Sequence, residues 1–271
     1  MKDQSHLLST ERRNEQTVHI DRATTTEMLR MITEANRRSV EAVAEAEAEI
    51  ARAVDAVADA FAHGGRLIYI GAGTSGRLAV QDAAECPPTF GVEPGQVIAV
   101  IAGGDGAVFR SAENAEDQEE AGRAALLAVN PTGHDVVMGI SASGGAAFVA
   151  SALREAGKIG CVTVSLTCNR ETVIGALADI PIVTETGAEV ITGSTRMKAG
   201  NAQKMVMNMI TTCAMVKTGK VYENMMINLS PGNRKLRHRM IGIVQEITDC
   251  SAEEAEARLE KSGWVIRDAI R

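Results

Sequence analysis

The chain has 271 residues and a formal net charge of −7, with 35 acidic against 28 basic side chains. That acid excess argues against nucleic acid or an anionic membrane as the main partner, and a hydrophobic fraction of 45% excludes wholesale disorder. Aromatic residues make up only 3%, so the core is aliphatic and a ligand must be held by polar and backbone groups rather than by stacking. In chain order, residues 1–22 are polar and predict an extended arm. From Thr24 to about His63 the apolar residues recur at helical spacing, and Val43–Phe61 is rich in the helix formers Ala and Glu. Short apolar runs then read as buried strands at Arg66–Ile70, Val97–Ala102, Asp135–Ile140 and Cys161–Thr167, with a weaker one near Ile180–Thr184. Helical stretches separate them, around Arg77–Glu85, Ala107–Asn130, Ala146–Gly157 and Val173–Ala178. Strand alternating with helix predicts an α/β fold, a parallel sheet with helices on both faces.

A long amphipathic helix is expected from Arg196 to about Lys217, with Met197, Met205, Met207, Met209 and Met215 as core filler. Pro231-Gly232 breaks the chain, and the basic run Arg234–Arg239 opens a last helical region as a solvated face. Ser251 and Glu254 fit a capping box for one more helix. The expected organisation is an N-terminal arm with helices (1–56), a sheet domain (57–220) and a C-terminal helical region (221–271). No apolar signal segment follows the polar start, and no apolar run approaches the ~18 residues of a membrane span. The five scattered cysteines form no Cys-x-x-Cys pair and the five histidines are isolated. Buried free thiols in a reducing cytoplasm, with no metal, are therefore the expectation.

In open parallel sheets ligands bind beyond the carboxyl ends of the strands. Three loops there are rich in Gly, Ser and Thr. Gly71-Ala72-Gly73-Thr74-Ser75-Gly76 has the G-x-G-x-x-G form of a dinucleotide site, but the acidic residue such a site needs, Asp105, comes late. Its hydroxyls suit a small phosphate held at a helix start instead. Ser141-Ala142-Ser143-Gly144-Gly145 and Thr192-Gly193-Ser194-Thr195 follow at equivalent places. Each loop alone reads as a helix N-cap, but three in one sheet read as a shared phosphate site built from Gly73, Thr74, Ser75, Gly76, Ser141, Ser143, Gly144, Ser194 and Thr195. Two carboxylates stand out beside them. Glu85 sits at the end of a helix that Pro87-Pro88 is expected to stop, where an apolar setting would suit a general acid. Glu116 lies on the helix after the second strand, and spacing alone does not choose it over Glu113, Asp117, Glu119 or Glu120.

Leu67–Leu78 and Glu85-Cys86-Pro87-Pro88-Thr89-Phe90-Gly91 closely resemble the N-acetylmuramic acid 6-phosphate etherases, members of the sugar-isomerase (SIS) superfamily of phosphosugar-binding domains. Ala115-Glu116-Asp117, Ile191–Ala199 and Lys217–Asn224 match as well, and the likeness runs from about Leu8 to Ala257. The resemblance implies a three-layer SIS fold and a cytoplasmic homodimer. It also implies cofactor-free cleavage of the D-lactyl ether at carbon 3 of a phosphosugar, releasing N-acetylglucosamine 6-phosphate. It puts the family's acid on Glu85 and its second catalytic glutamate on Glu116. One departure is clear: family members usually continue the second loop as Ser-Gly-Arg-Thr-Pro-Tyr, whereas here Ser143-Gly144 runs into Gly145-Ala146-Ala147-Phe148. A charge and a hydroxyl are lost beside the expected phosphate site. The chain also ends at Arg271, so part of the C-terminal helical region of fuller members is expected to be missing. The rival readings are a non-catalytic sugar-phosphate sensor, a sugar-phosphate isomerase and a nicotinamide-dependent dehydrogenase.

Overall fold

The computed structural model describes residues 8–271. Its centre is a parallel sheet of β1 (Leu67–Gly71), β2 (Val97–Ile101), β3 (Val136–Ile140), β4 (Val162–Thr167) and β5 (Ile180–Val183), ordered β2-β1-β3-β4-β5. Around it wind α1 (Thr25–Glu45), α2 (Glu47–Ala62), α3 (Gly73–Phe90), α4 (Gly106–Phe109), α5 (Glu119–Ala128), α6 (Ala147–Ile159) and α7 (Lys198–Lys217). A small antiparallel ribbon, β6 (Val221–Tyr222) with β7 (Met225–Met226), leads to α8 (Arg234–Thr248), α9 (Ala252–Lys261) and α10 (Ile266–Ala269).

β1 and β3 are buried along their whole length, as a sheet covered on both faces requires. Their alternating side chains feed two cores. Leu67, Tyr69, Val136, Met138, Val164 and Leu166 meet α2, α3 and α7 on one face. Ile68, Ile70 and Val137 meet α5 and α6 on the other. Each fully buried aliphatic side chain stabilises the fold by roughly 1.5–3 kcal/mol, and together they form the expected three-layer α/β core. α8, α9 and α10 enclose a third cluster around Met240, Val244 and Leu259. At the amino edge of the sheet, Asp135 accepts from the Arg66 backbone (2.8 Å) and side chain (2.7 Å) and from the Thr132 N–H (2.8 Å). Burial by itself opposes its ionisation, but these donors outweigh burial and hold the carboxyl below its ordinary value.

Several expectations need correction. The arm, as far as it lies within the described residues, is not extended: it forms three 3-10 turns, Ser9–Glu11, Glu15–Thr17 and Ile20–Arg22. It docks because Thr10 and Thr17 are buried, with Thr17 Oγ1 donating to the Val190 carbonyl at 2.8 Å. The helix over 24–63 breaks at Ala46. Pro87 and Pro88 do not stop α3, which continues one turn to bury Phe90 and ends where Gly91 takes φ 59°. Asn228 Nδ2 caps that end by donating to the carbonyls of Phe90 (2.6 Å) and Gly91 (3.1 Å). The expected helix over 107–130 is α4, a 3-10 turn Ala115–Asp117 and α5, because Asn114 adopts a left-handed conformation that no helix continues. Val173–Ala178 contains only the 3-10 turn Gly175–Leu177. Of the methionines of α7, Met209 is 41% exposed, and Cys213 is exposed rather than buried.

Candidate active site

The strand order places a topological switch point between β1 and β3. They are neighbours in the sheet, but the helix after β1 packs on one face and the helix after β3 on the other. The loops that leave them flank the crevice where doubly wound folds bind ligands. α3 and α6 both start without a side-chain cap, so first-turn N–H groups at both helix starts are available to an anion. Gly73, at φ 53°, turns the chain into α3, and Thr74 is half-buried beside it.

The hydroxyls of the three loops fare differently. Ser75 is buried and donates to Gln203 Oε1 at 2.9 Å, so it faces α7 rather than the crevice. In the second loop Ser141 Oγ accepts from the Gly144 N–H (3.1 Å), and Ser143 Oγ accepts from the Gly145 N–H (3.3 Å). The two Oγ atoms lie 3.3 Å apart, which leaves a hydroxyl proton for an external acceptor. Gly144 closes this turn within the same loop. The third loop differs most. The start of α7 is already capped from within: fully buried Glu189 accepts from the N–H groups of Lys198 (3.1 Å) and Ala199 (2.9 Å). Burial pushes the Glu189 carboxyl up while these bonds oppose it. The helix start therefore offers its first N–H groups to a resident carboxylate, and the half-buried Ser194 and Thr195 lie just before it in the loop. Sequence reading missed this cap, although a Glu nine residues before a helix is its only local signal.

The glutamates line separate cavities of one chain. Glu116, exposed on its 3-10 turn, borders a cavity of about 260 Å³ with Ala72, Gly73, Arg77 and Glu113. Arg77 is held there by the carbonyls of Val108 (3.1 Å) and Arg110 (3.1 Å). Glu85 borders a cavity of about 240 Å³ with Asp82, Lys204, Asn208 and Thr211. Glu85 is exposed, so the apolar burial expected for it falls instead on Asp82, one turn earlier on α3. Asp82 accepts from Tyr69 Oη (2.8 Å), Thr211 Oγ1 (3.3 Å) and Asn208 Nδ2. Desolvation pushes its carboxyl up, and the hydrogen bonds with the nearby Lys204 charge pull the other way. Sequence reading singled out none of these residues, because Asp82 meets Asn208 across 126 positions. A larger cavity of about 630 Å³ lies between the arm and α1, and none of the three loops lines it. Among the described residues, no group of three or more His, Cys, Asp or Glu side chains is placed to hold a metal ion. Among the described residues no helix is long and apolar enough to cross a membrane.

Residues 49–156 match the glucokinase regulatory protein N-terminal SIS domain family. Among solved structures, the chain is similar to a putative phosphosugar isomerase of Bacteroides fragilis involved in capsule formation, at TM-score 0.56 and 18% identity over 76% of this chain and 98% of the other. It is also similar to a phosphoheptose isomerase of Francisella tularensis, at TM-score 0.51 and 19% identity over 73% of this chain and 100% of that one. These likenesses are of fold. Sequence relatives are much nearer. An N-acetylmuramic acid 6-phosphate etherase of Halalkalibacterium halodurans is 50% identical over 97% of this chain and 88% of its own length. Those of Geobacillus thermodenitrificans and Bacillus subtilis are 51% and 48% identical, over 97% and 98% of this chain and 89% and 87% of their own lengths. At half identity over almost its whole length, the chain belongs to the N-acetylmuramic acid 6-phosphate etherase family.

Proposed function

We infer that this protein cleaves the D-lactyl ether of N-acetylmuramic acid 6-phosphate, giving N-acetylglucosamine 6-phosphate and D-lactate. The observation that carries the reading is the half identity to etherases across nearly the whole chain. The reading is supported by two helix starts without side-chain caps at the switch point and by a glutamate beside each of two cavities. In the open-chain sugar, the carbonyl at carbon 1 acidifies the proton on carbon 2. Glu116 removes that proton, its electron pair becomes the bond between carbons 2 and 3, and the ether bond at carbon 3 breaks. Glu85 protonates the departing oxygen, which leaves as the hydroxyl of D-lactate. Water then adds at carbon 3 and a proton returns to carbon 2. Two carboxylates suffice for these proton transfers, and no cofactor takes part.

A cytoplasmic homodimer belongs to the same proposal. Glu85 lies twelve residues beyond Gly73 on α3, roughly 18 Å along the helix at 1.5 Å per residue. A phosphosugar held at the switch point of one chain does not extend that far down α3, whereas a second copy can present its own Glu85. Incubation of the protein with N-acetylmuramic acid 6-phosphate and assay of D-lactate tests the activity, and absence of lactate overturns it. Mixing inactive Glu85→Gln and Glu116→Gln chains tests the shared site: turnover returns only if each site draws on two chains. A sensor reading is favoured by one observation, the missing Arg and Thr of the second loop at Gly145-Ala146. Tight binding of the phosphosugar without lactate release would select it.

A further inference from the structure

The cavity beside Glu85 contains a feature that the elimination chemistry leaves unused. Lys204 is the single cation among the residues that line it. It is exposed, and its ammonium donates to Asn208 Oδ1, whose amide in turn donates to Asp82 Oδ1. Asp82 is fixed from the other side by buried Tyr69, on the central strand β1. A continuous relay therefore runs from the sheet core to the cavity mouth, and it holds a flexible lysine in place at its tip. An ammonium has three donors. Among the described residues Asn208 takes one, which leaves two for a ligand. Asp82 accepts from Tyr69, Asn208 and Thr211 and forms no direct salt bridge with the lysine, which it meets only through Asn208.

Resting on the etherase reading, we propose that Lys204 binds the carboxylate of the lactyl group, with Asn208 as the residue that positions it. The substrate carries two anions at opposite ends. The phosphate belongs with the helix starts at the switch point, and the lactyl carboxylate lies next to the ether oxygen that Glu85 protonates. A cation bordering the same cavity as Glu85 is placed to read that second anion and to aim the ether oxygen at the acid. Lys204 is then a specificity determinant, separating lactyl ethers from sugar phosphates that lack a carboxylate.

The test compares the natural substrate with its lactamide analogue, in which a neutral amide replaces the carboxylate, for wild type, Lys204→Met and Asn208→Ala. Loss of one charge-assisted hydrogen bond corresponds to roughly 10–100-fold. Wild type is expected to prefer the carboxylate by that factor in kcat/KM. Lys204→Met should lower kcat/KM for the natural substrate about as much and should bring the preference to near unity. Asn208→Ala should fall between them. Inhibition by N-acetylglucosamine 6-phosphate, which has no lactyl group, should be the same in wild type and Lys204→Met. The proposal is overturned if wild type does not discriminate, if Lys204→Met retains the preference, or if inhibition by N-acetylglucosamine 6-phosphate weakens alongside. The last outcome would make Lys204 a phosphate ligand. Failure of wild type to release lactate from either compound overturns the etherase reading itself and is thereby distinguished.

Discussion

Glu85 and Glu116 are both exposed glutamates beside small cavities, yet they are held in contrasting ways. Glu85 rides on the eighteen-residue helix α3, which is packed against β1 and α7 and pinned one turn earlier by buried Asp82. Glu116 rides on a single 3-10 turn between a left-handed Asn114 and the start of α5, held by local backbone bonds. A side chain on a rigid element is aimed by the whole core, whereas one on a short turn is aimed by a few nearby atoms. The first carboxylate should therefore tolerate local change and suffer from core change, and the second the reverse.

The largest effects test whether the two are equal partners in the chemistry. Glu85→Gln and Glu116→Gln are each expected to lower lactate release by roughly 10²–10⁴-fold, with unchanged chemical denaturation midpoints because both side chains are exposed. A loss from only one of them would break the pairing.

Asp82→Ala comes next. It leaves the buried Tyr69 hydroxyl without its acceptor, at a cost of about 1–3 kcal/mol, and should shift unfolding while leaving the Glu116 turn intact. Its pH behaviour has a definite sign. Burial raises the carboxyl of Asp82 in the folded state, so its contribution to stability is fully present below the ordinary carboxylate range and is lost as pH rises through the raised value. Wild type should show that decline in denaturant titrations across this range, and Asp82→Ala should lack it.

Gly103→Ala addresses the other carboxylate. Gly103 has φ 87°, and an added Cβ would lie 2.6 Å from the Ala112 side chain. The strain costs roughly 1–2 kcal/mol, and it should push the Ala112–Glu116 segment enough to lower kcat about tenfold. An unchanged kcat would show the turn to be more adaptable than its contacts suggest. Smallest is Ser251→Ala, which removes the observed capping box of α9, where Ser251 Oγ accepts from the Glu254 N–H at 3.2 Å. It should cost about 1 kcal/mol and leave turnover untouched, since α9 packs in its own cluster with α8 and α10.

Much of the frame was legible before any coordinates. The five strands fell where short apolar runs predicted them, most plainly β1 and β3, whose complete burial in a parallel sheet demands an uninterrupted apolar run. The Ser251 capping box followed from two residues three apart. Helix ends were less legible. Pro87 and Pro88 predicted a stop, but burial of Phe90 and a cap from Asn228, well over a hundred residues away, carry α3 onward. The polar arm predicted an extended stretch of chain, and only its buried threonines, Thr10 paired with Asn169 after β4 and Thr17 with Val190 before α7, turn it into docked 3-10 turns. Its place before Pro87-Pro88 brought Glu85 forward as a candidate, whereas spacing left Glu116 beside four acidic neighbours until motif likeness chose it.

Periodicity, glycine placement and capping pairs act over a few residues, so the sequence by itself determined the layers of the sheet and the three strand-end loops, while the likeness of whole motifs pointed to the family. Only the tertiary structure decided what each polar group in those loops faces. Ser75 turns to Gln203, the start of α7 is taken by Glu189, and the burial expected for Glu85 belongs to Asp82. The physical reason is that a buried donor or acceptor must find a partner wherever the fold supplies one. For Tyr69, Asp82 and Asn208 that partner lies on another element, and no local pattern records it.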